Sequence, residues 1–409
     1  MMWKLLVVAA LALLVIVSAI KSRDLLTKQS EWDRIASPYS FNIARWEFEN
    51  FFDKWKYKIQ EFFHPSELSE AESVQMVRDY LSLAQEITSL EAMINREKAK
   101  GPGSEEDIEV WQAQLAALKT ERDRAEDQVE EIIEAQISGV LTDEGLSATL
   151  KLGGEVELLF PPVDFEFEER PNVLTVSTRH KIEIVDTVLL KPGMSLEEMV
   201  EIEDAVEALD YSGLVEPLGG VATYPSIVPQ MPPLQHLLST IAHEWLHHYF
   251  FFRPLGQKYW SNYEMTTINE TAADIAGNEI GLMVYERYYD GVEEAAPPAE
   301  EQEPAFDFGK EMRGIRLTVD QYLARGEIEE AERYMEEKRE FLEANGYYIR
   351  KLNQAYFAFH GTYADTPTSV SPIGGQLRKL REQSSDLGDF IGTVSGISSY
   401  EELLRMIGE

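Results

Sequence analysis

The stretch that most constrains the fold is residues 234–252. Leu237, Leu238, Ile241, Ala242, Trp245 and Leu246 predict a helix that is largely buried, yet His243, Glu244, His247 and His248 stand among them. Any fold that buries this helix must give its imidazoles partners, because an unpaired polar group out of water is costly. On a 3.6-residue period His243 and His247 lie one turn apart on one face, so both can reach a single ion. Glu244, the next residue after His243, can reach a water on that ion without being a ligand. His248 is five positions from His243 and points elsewhere. His236 lies on the His243 stripe but two turns back, which suits a structural or rim role.

The chain has no cysteine, which excludes disulfides, thiolate nucleophiles, zinc ribbons and iron–sulfur clusters. A metal site must therefore use His, Asp and Glu, and a catalytic zinc needs three protein ligands and one open position. The third ligand is expected at Glu270, in Ile268-Asn269-Glu270-Thr271-Ala272-Ala273-Asp274 on the next predicted helix. Glu270 follows His247 by 23 positions, enough for a loop and a returning antiparallel helix. Asp274, one turn further on the same face, can accept the free ring N–H of a metal-bound histidine.

HExxH followed at this distance by NExxxD resembles the gluzincin metallopeptidases, the thermolysin-like division with two histidines and one glutamate as ligands. The resemblance covers roughly residues 234–285, about an eighth of the chain. It implies one Zn²⁺ per chain on His243, His247 and Glu270, Glu244 as general base, Asp274 behind the ligands, and hydrolysis of peptide bonds. A looser likeness reaches the bacterial predicted aminopeptidases of the same type, through Asn353-Gln354-Ala355 followed by Tyr363. The chain departs from both patterns in lacking the Gly-x-Met-Glu-Asn segment that holds a free N-terminus, so exopeptidase action is unsupported.

Such a site needs a donor for the oxyanion. Residues 356–363 place His360 and two tyrosines in an otherwise apolar stretch, which makes His360 and Tyr363 the candidates; ordinary core packing is the equal alternative. Residues 219–224, with Gly220, Val221 and Ala222, are the expected substrate-binding edge, chosen by position along the chain.

Around this core six segments follow from pattern. Residues 1–22 contain an uncharged apolar run at 5–20, which reads as a membrane anchor or, if cut, as a secretory signal; its length favours the anchor. Lys21, Arg23, Lys28 and Arg34 after the run favour a cytoplasmic C-terminal side, whereas the exported-signal architecture favours an extracytoplasmic catalytic domain, which is the expectation adopted. Residues 23–65 hold an aromatic-rich juxtamembrane helix, suited to a membrane interface or to packing on its neighbours. Residues 66–140 read as a coiled-coil-like hairpin turning at 101–104, with Arg122 breaking the apolar series, and suggest a spacer or a homodimer arm. Residues 141–289 form the zincin-like core, with period-two strands from about 145 to 190. Residues 290–305 are an acidic Pro/Ala-rich loop, and 306–409 a helical lobe.

The formal net charge of −36 argues against nucleic acid as a partner. No Walker loop, dinucleotide fingerprint or Gly-x-Ser-x-Gly elbow is present. The expected molecule is an α+β, membrane-anchored zinc peptidase with a small sheet, acting on a peptide or protein substrate. The alternative from another class is a membrane-tethered coiled-coil scaffold whose zincin domain binds metal or peptide without turnover. Glu244 favours the enzyme, because a scaffold has no need of a base beside the metal.

Overall fold

The computed structural model describes residues 30–47, 68–98, 105–151, 155–230, 233–290, 306–364 and 366–409. The apolar run at 5–20, most of the juxtamembrane helix, the hairpin turn and all but the first residue of the acidic loop lie outside them. Among the described residues no helix is long and apolar enough to cross a membrane.

The elements bear out an α+β fold. Helix α1 (Glu31–Ala36) precedes a long pair, α2 (Glu70–Lys98) and α3 (Glu105–Asp143). Strands β1 (Ser147–Lys151) and β2 (Glu155–Leu159) make an antiparallel hairpin. Strand β3 (Phe165–Phe167) pairs in parallel with β7 (Ser226–Val228). Strands β4 (Asn172–Thr178), β5 (Ile184–Leu190) and β6 (Tyr211–Pro217) form an antiparallel sheet in the order β5-β4-β6, with α4 (Leu196–Glu207) between β5 and β6 in sequence.

The predicted hairpin does not project as a free spacer. Its second arm runs past the expected boundary at 140, and Val129, Ile133, Ile137, Val140 and Leu141 join the main apolar core. The reason is polar as well as apolar. Strand β3 bonds β7 along one edge, and on its other edge the N–H groups of Phe165 and Phe167 donate to Glu134 and Glu130 of α3, at 3.1 and 2.7 Å. Two buried carboxylates thus do what a further strand would do for the open edge. Arg122 breaks the apolar seam because a junction sits there: it donates to Gln230, whose amide donates to Glu126 and to the Tyr80 hydroxyl.

The metal-motif helix is α5 (Leu234–Phe251), followed by the short α6 (Pro254–Gln257) and by α7 (Tyr263–Tyr289), whose first turn is capped by the Asn262 side chain accepting from the Met265 N–H. Helices α5 and α7 pack antiparallel and very closely. A methyl at Gly281 would lie 2.3 Å from Ser239 Oγ and 2.6 Å from its backbone nitrogen, and one at Gly277 3.0 Å from the His243 nitrogen. Glycine inside a helix costs about 1 kcal/mol relative to alanine. Here it admits a backbone approach that brings His243 and His247 of α5 together with Glu270 of α7.

The C-terminal lobe is helical but divides in two. Helices α8 (Phe308–Ala324), α9 (Ile328–Ala344) and α10 (Gln354–His360) build their own core, which includes Leu214 of β6. Helices α11 (Ile373–Gln383), α12 (Leu387–Ser395) and α13 (Tyr400–Ile407) belong to the main core with α5 and α7.

Candidate metal centre

His243 and His247 project from α5, and Glu270 from α7, into a cavity of about 830 Å³. These three form the candidate metal-binding group among the described residues, with ligand atoms all within 4.8 Å of one another. The two Nε2 atoms are 3.0 Å apart, and Glu270 Oε2 lies 3.6 Å from one and 3.5 Å from the other. Ligand atoms about 2.0–2.1 Å from a tetrahedral zinc stand roughly 3.3 Å from each other, so the spacing fits such an ion.

Tautomers strengthen the fit. His243 Nδ1 faces Asp274 Oδ1 at 3.3 Å, and a carboxylate can only accept, so that nitrogen carries the hydrogen. His247 Nδ1 lies 2.9 Å from Asn269 Oδ1 and donates to it. Both Nε2 atoms are thereby left with lone pairs pointing at one another, and only a cation or a proton between them resolves the repulsion. The proton affinities agree. Burial opposes a charge on His243, but the bonds to Asp274 and Glu270 outweigh it and hold its pKa well above the ordinary value. Burial alone would raise Glu270, yet attraction and hydrogen bonds from the two imidazoles hold it well below the usual carboxylate range.

Glu244 is buried at the same cavity, pressed against the backbone of Gly220. Burial raises its pKa, opposed by the two imidazoles. Gly220, Val221 and Ala222 do line the cavity. They form an edge one bridge long: Val221 exchanges both backbone hydrogen bonds with Ile227, at 3.0 Å each. Alternation then turns the polar groups of Gly220 and Ala222 away from Ile227.

Tyr363 is brought to the centre, its ring 6.3 Å from that of His243. The Glu270 charge, with burial second, holds its phenol well above the ordinary pKa. His360 is not brought there. It turns to the sheet instead, with Nε2 2.7 Å from Glu216 and its ring 4.3 Å from that of Tyr356, because the last turn of α10 faces β6. Tyr259, which no motif singled out, takes a place beside the candidate ligands: its hydroxyl donates to Glu270 Oε1, leaving Oε2 facing the two Nε2 atoms. Burial, then the Glu270 charge, holds its phenol well above the ordinary pKa. Of the remaining histidines near the motif, His236 is exposed, and His248 is buried with its ring against Tyr224 at 5.4 Å, its pKa lowered to about 4 by burial.

Compared with known proteins, the chain matches no family model, and no curated protein or solved structure is significantly similar to it.

Proposed function

We propose that the chain is a zinc-dependent peptidase. The observation that carries this reading is the pair of facing Nε2 lone pairs 3.0 Å apart, closed by Glu270 and with a buried glutamate next to them in the cavity. Two imidazoles and one carboxylate without thiolate suit zinc. When bound, zinc lowers the pKa of a water and polarises the scissile carbonyl.

The remaining chemistry belongs to the chain. Glu244, its pKa raised by burial, takes the proton of the attacking water as oxygen bonds to the carbonyl carbon, and delivers it to the amine as the C–N bond breaks. Tyr363 stays protonated at neutral pH and serves as donor to the oxyanion, while Tyr259, whose hydrogen is taken by Glu270, steadies that carboxylate. An extended peptide laid along Gly220 to Ala222, which line the cavity, is presented to Glu244.

Glu244→Gln keeps the shape of the side chain and removes the base. Zinc-loaded wild type should cleave members of a mixed peptide library, and zinc-loaded Glu244→Gln should be slower by several orders of magnitude. Equal cleavage by both, or none by zinc-loaded wild type, would overturn the peptidase reading; in the second case a non-catalytic scaffold takes its place.

A further inference from the structure

One buried acid in the cavity has no part in that chemistry. Glu47 is 4 % exposed and, with Ile43 one turn before it, faces the cavity among Val173, Leu189 and Leu218. Its Oε1 accepts a long hydrogen bond, 3.4 Å, from the Tyr224 backbone N–H. Among the described residues no Lys or Arg lines the cavity, while Asp186, Glu244 and Glu270 do. Burial lifts the Glu47 pKa to about 7, the mark of a carboxylate short of compensating charge.

We propose that Glu47 is a specificity-determining residue whose carboxylate receives a positive charge of the substrate, so that the cleft takes cationic peptides. The inference rests on the peptidase reading for its substrate class. A neutral peptide N–H offers a buried carboxylate only part of what water gave it, whereas an ammonium or guanidinium compensates its charge directly. The overall charge of −36 favours the same class by drawing cations toward the surface. Reach is adequate as well. Gly220 touches Glu244, and Tyr224, four residues on, touches Glu47; that length of chain spans at most about 14 Å. A peptide lying along this segment therefore carries a charge to Glu47 from within about four residues of the bond under attack. The charge has two sources, a Lys or Arg side chain and a free α-ammonium.

The test uses the full chain, zinc-loaded and carrying Glu244→Gln, so that binding is read without turnover. Alanine-based octapeptides with one Arg at each position in turn are compared with their citrulline counterparts, and each with a free and an acetylated N-terminus. One ratio, Arg over citrulline or free over acetylated, should reach roughly 10- to 100-fold, as expected for a charge-assisted bond. Adding Glu47→Gln, whose amide oxygen still accepts from Tyr224, should bring that ratio to within about twofold of unity without lowering the unfolding temperature. The ratio that collapses names the source of the charge. A ratio that survives Glu47→Gln, or peptides that bind with no charge preference, would overturn the inference. Charge-selective binding without cleavage by wild type would sink the peptidase reading and leave the role of Glu47 standing.

Discussion

Gly220→Ala separates the proposed general base, Glu244, from the proposed metal site. A methyl at this position would lie 2.5 Å from Glu244 Oε1 and 2.9 Å from both Cδ and Cγ, where ordinary contacts begin at 3.4 Å. Rotating the carboxylate alone relieves the first clash and not the other two, so the whole side chain must shift by roughly 0.5–1 Å. A misplacement of about 1 Å at a reacting group costs on the order of 10²-fold in rate, or about 2.7 kcal/mol of transition-state stabilisation. The three atoms nearest the methyl all belong to Glu244, so zinc content should stay at one per chain. The assay is kcat/KM on a library peptide that wild type cleaves, with metal content measured on the same sample. A kcat/KM within threefold of wild type would refute the positioning role of Gly220. Loss of zinc in step with activity would show that the segment supports the metal site and not the base.

Asp274→Asn should keep the fold and weaken zinc binding by roughly 10- to 100-fold, since the partner that orients His243 loses its charge; competition with a chelator measures it. Glu47 has a folded pKa of about 7 against an ordinary 4.5, so its contribution to stability is fully present below 4.5 and is lost as pH rises through 7. Relative to Glu47→Gln, the protein should lose up to about 3 kcal/mol of unfolding free energy between pH 4.5 and 8 in urea titrations; parallel pH profiles would contradict this. The uncharged run at 5–20 should keep full-length protein with membranes through a carbonate wash, and a chain starting near Ser22 should be soluble. Protease added to intact cells should reach the catalytic domain; full protection would place it in the cytoplasm, and a mature chain without its first twenty residues would show a cleaved signal.

Helices α5 and α7 were legible because His243 and His247 in one, and Glu270 and Asp274 in the other, stand one turn apart, and α5 is apolar over much of its length. Strands β2 to β5 were legible from their period of two and the Pro and Gly breaks between them. Contacts made across long sequence separations were not. Nothing local in α3 tells that Glu130 and Glu134 hold the edge of a strand, since acids on a helix face usually meet solvent. Tyr259 sits in a loop with no period to place it, and only the geometry of α7 brings it to Glu270. His360 and Tyr363 looked equivalent in sequence, yet the turn that ends α10 sends one to Glu216 and the other to the ligands. Gly277 and Gly281, four apart in a helix that would be stronger with alanine, were the readable hint of a close helix contact.

The central claim is that His243, His247 and Glu270 together hold one metal ion. Calorimetric titration of chelator-stripped protein with zinc tests it, repeated in buffers of different ionisation enthalpy. One zinc per chain should bind tightly with release of a proton near neutral pH, because the bonds to Asp274 and Glu270 raise the His243 pKa and zinc must displace the proton they favour. Glu270→Ala should lose most of that binding. Stoichiometric, equally tight zinc in Glu270→Ala, or no zinc binding by wild type, would contradict the account.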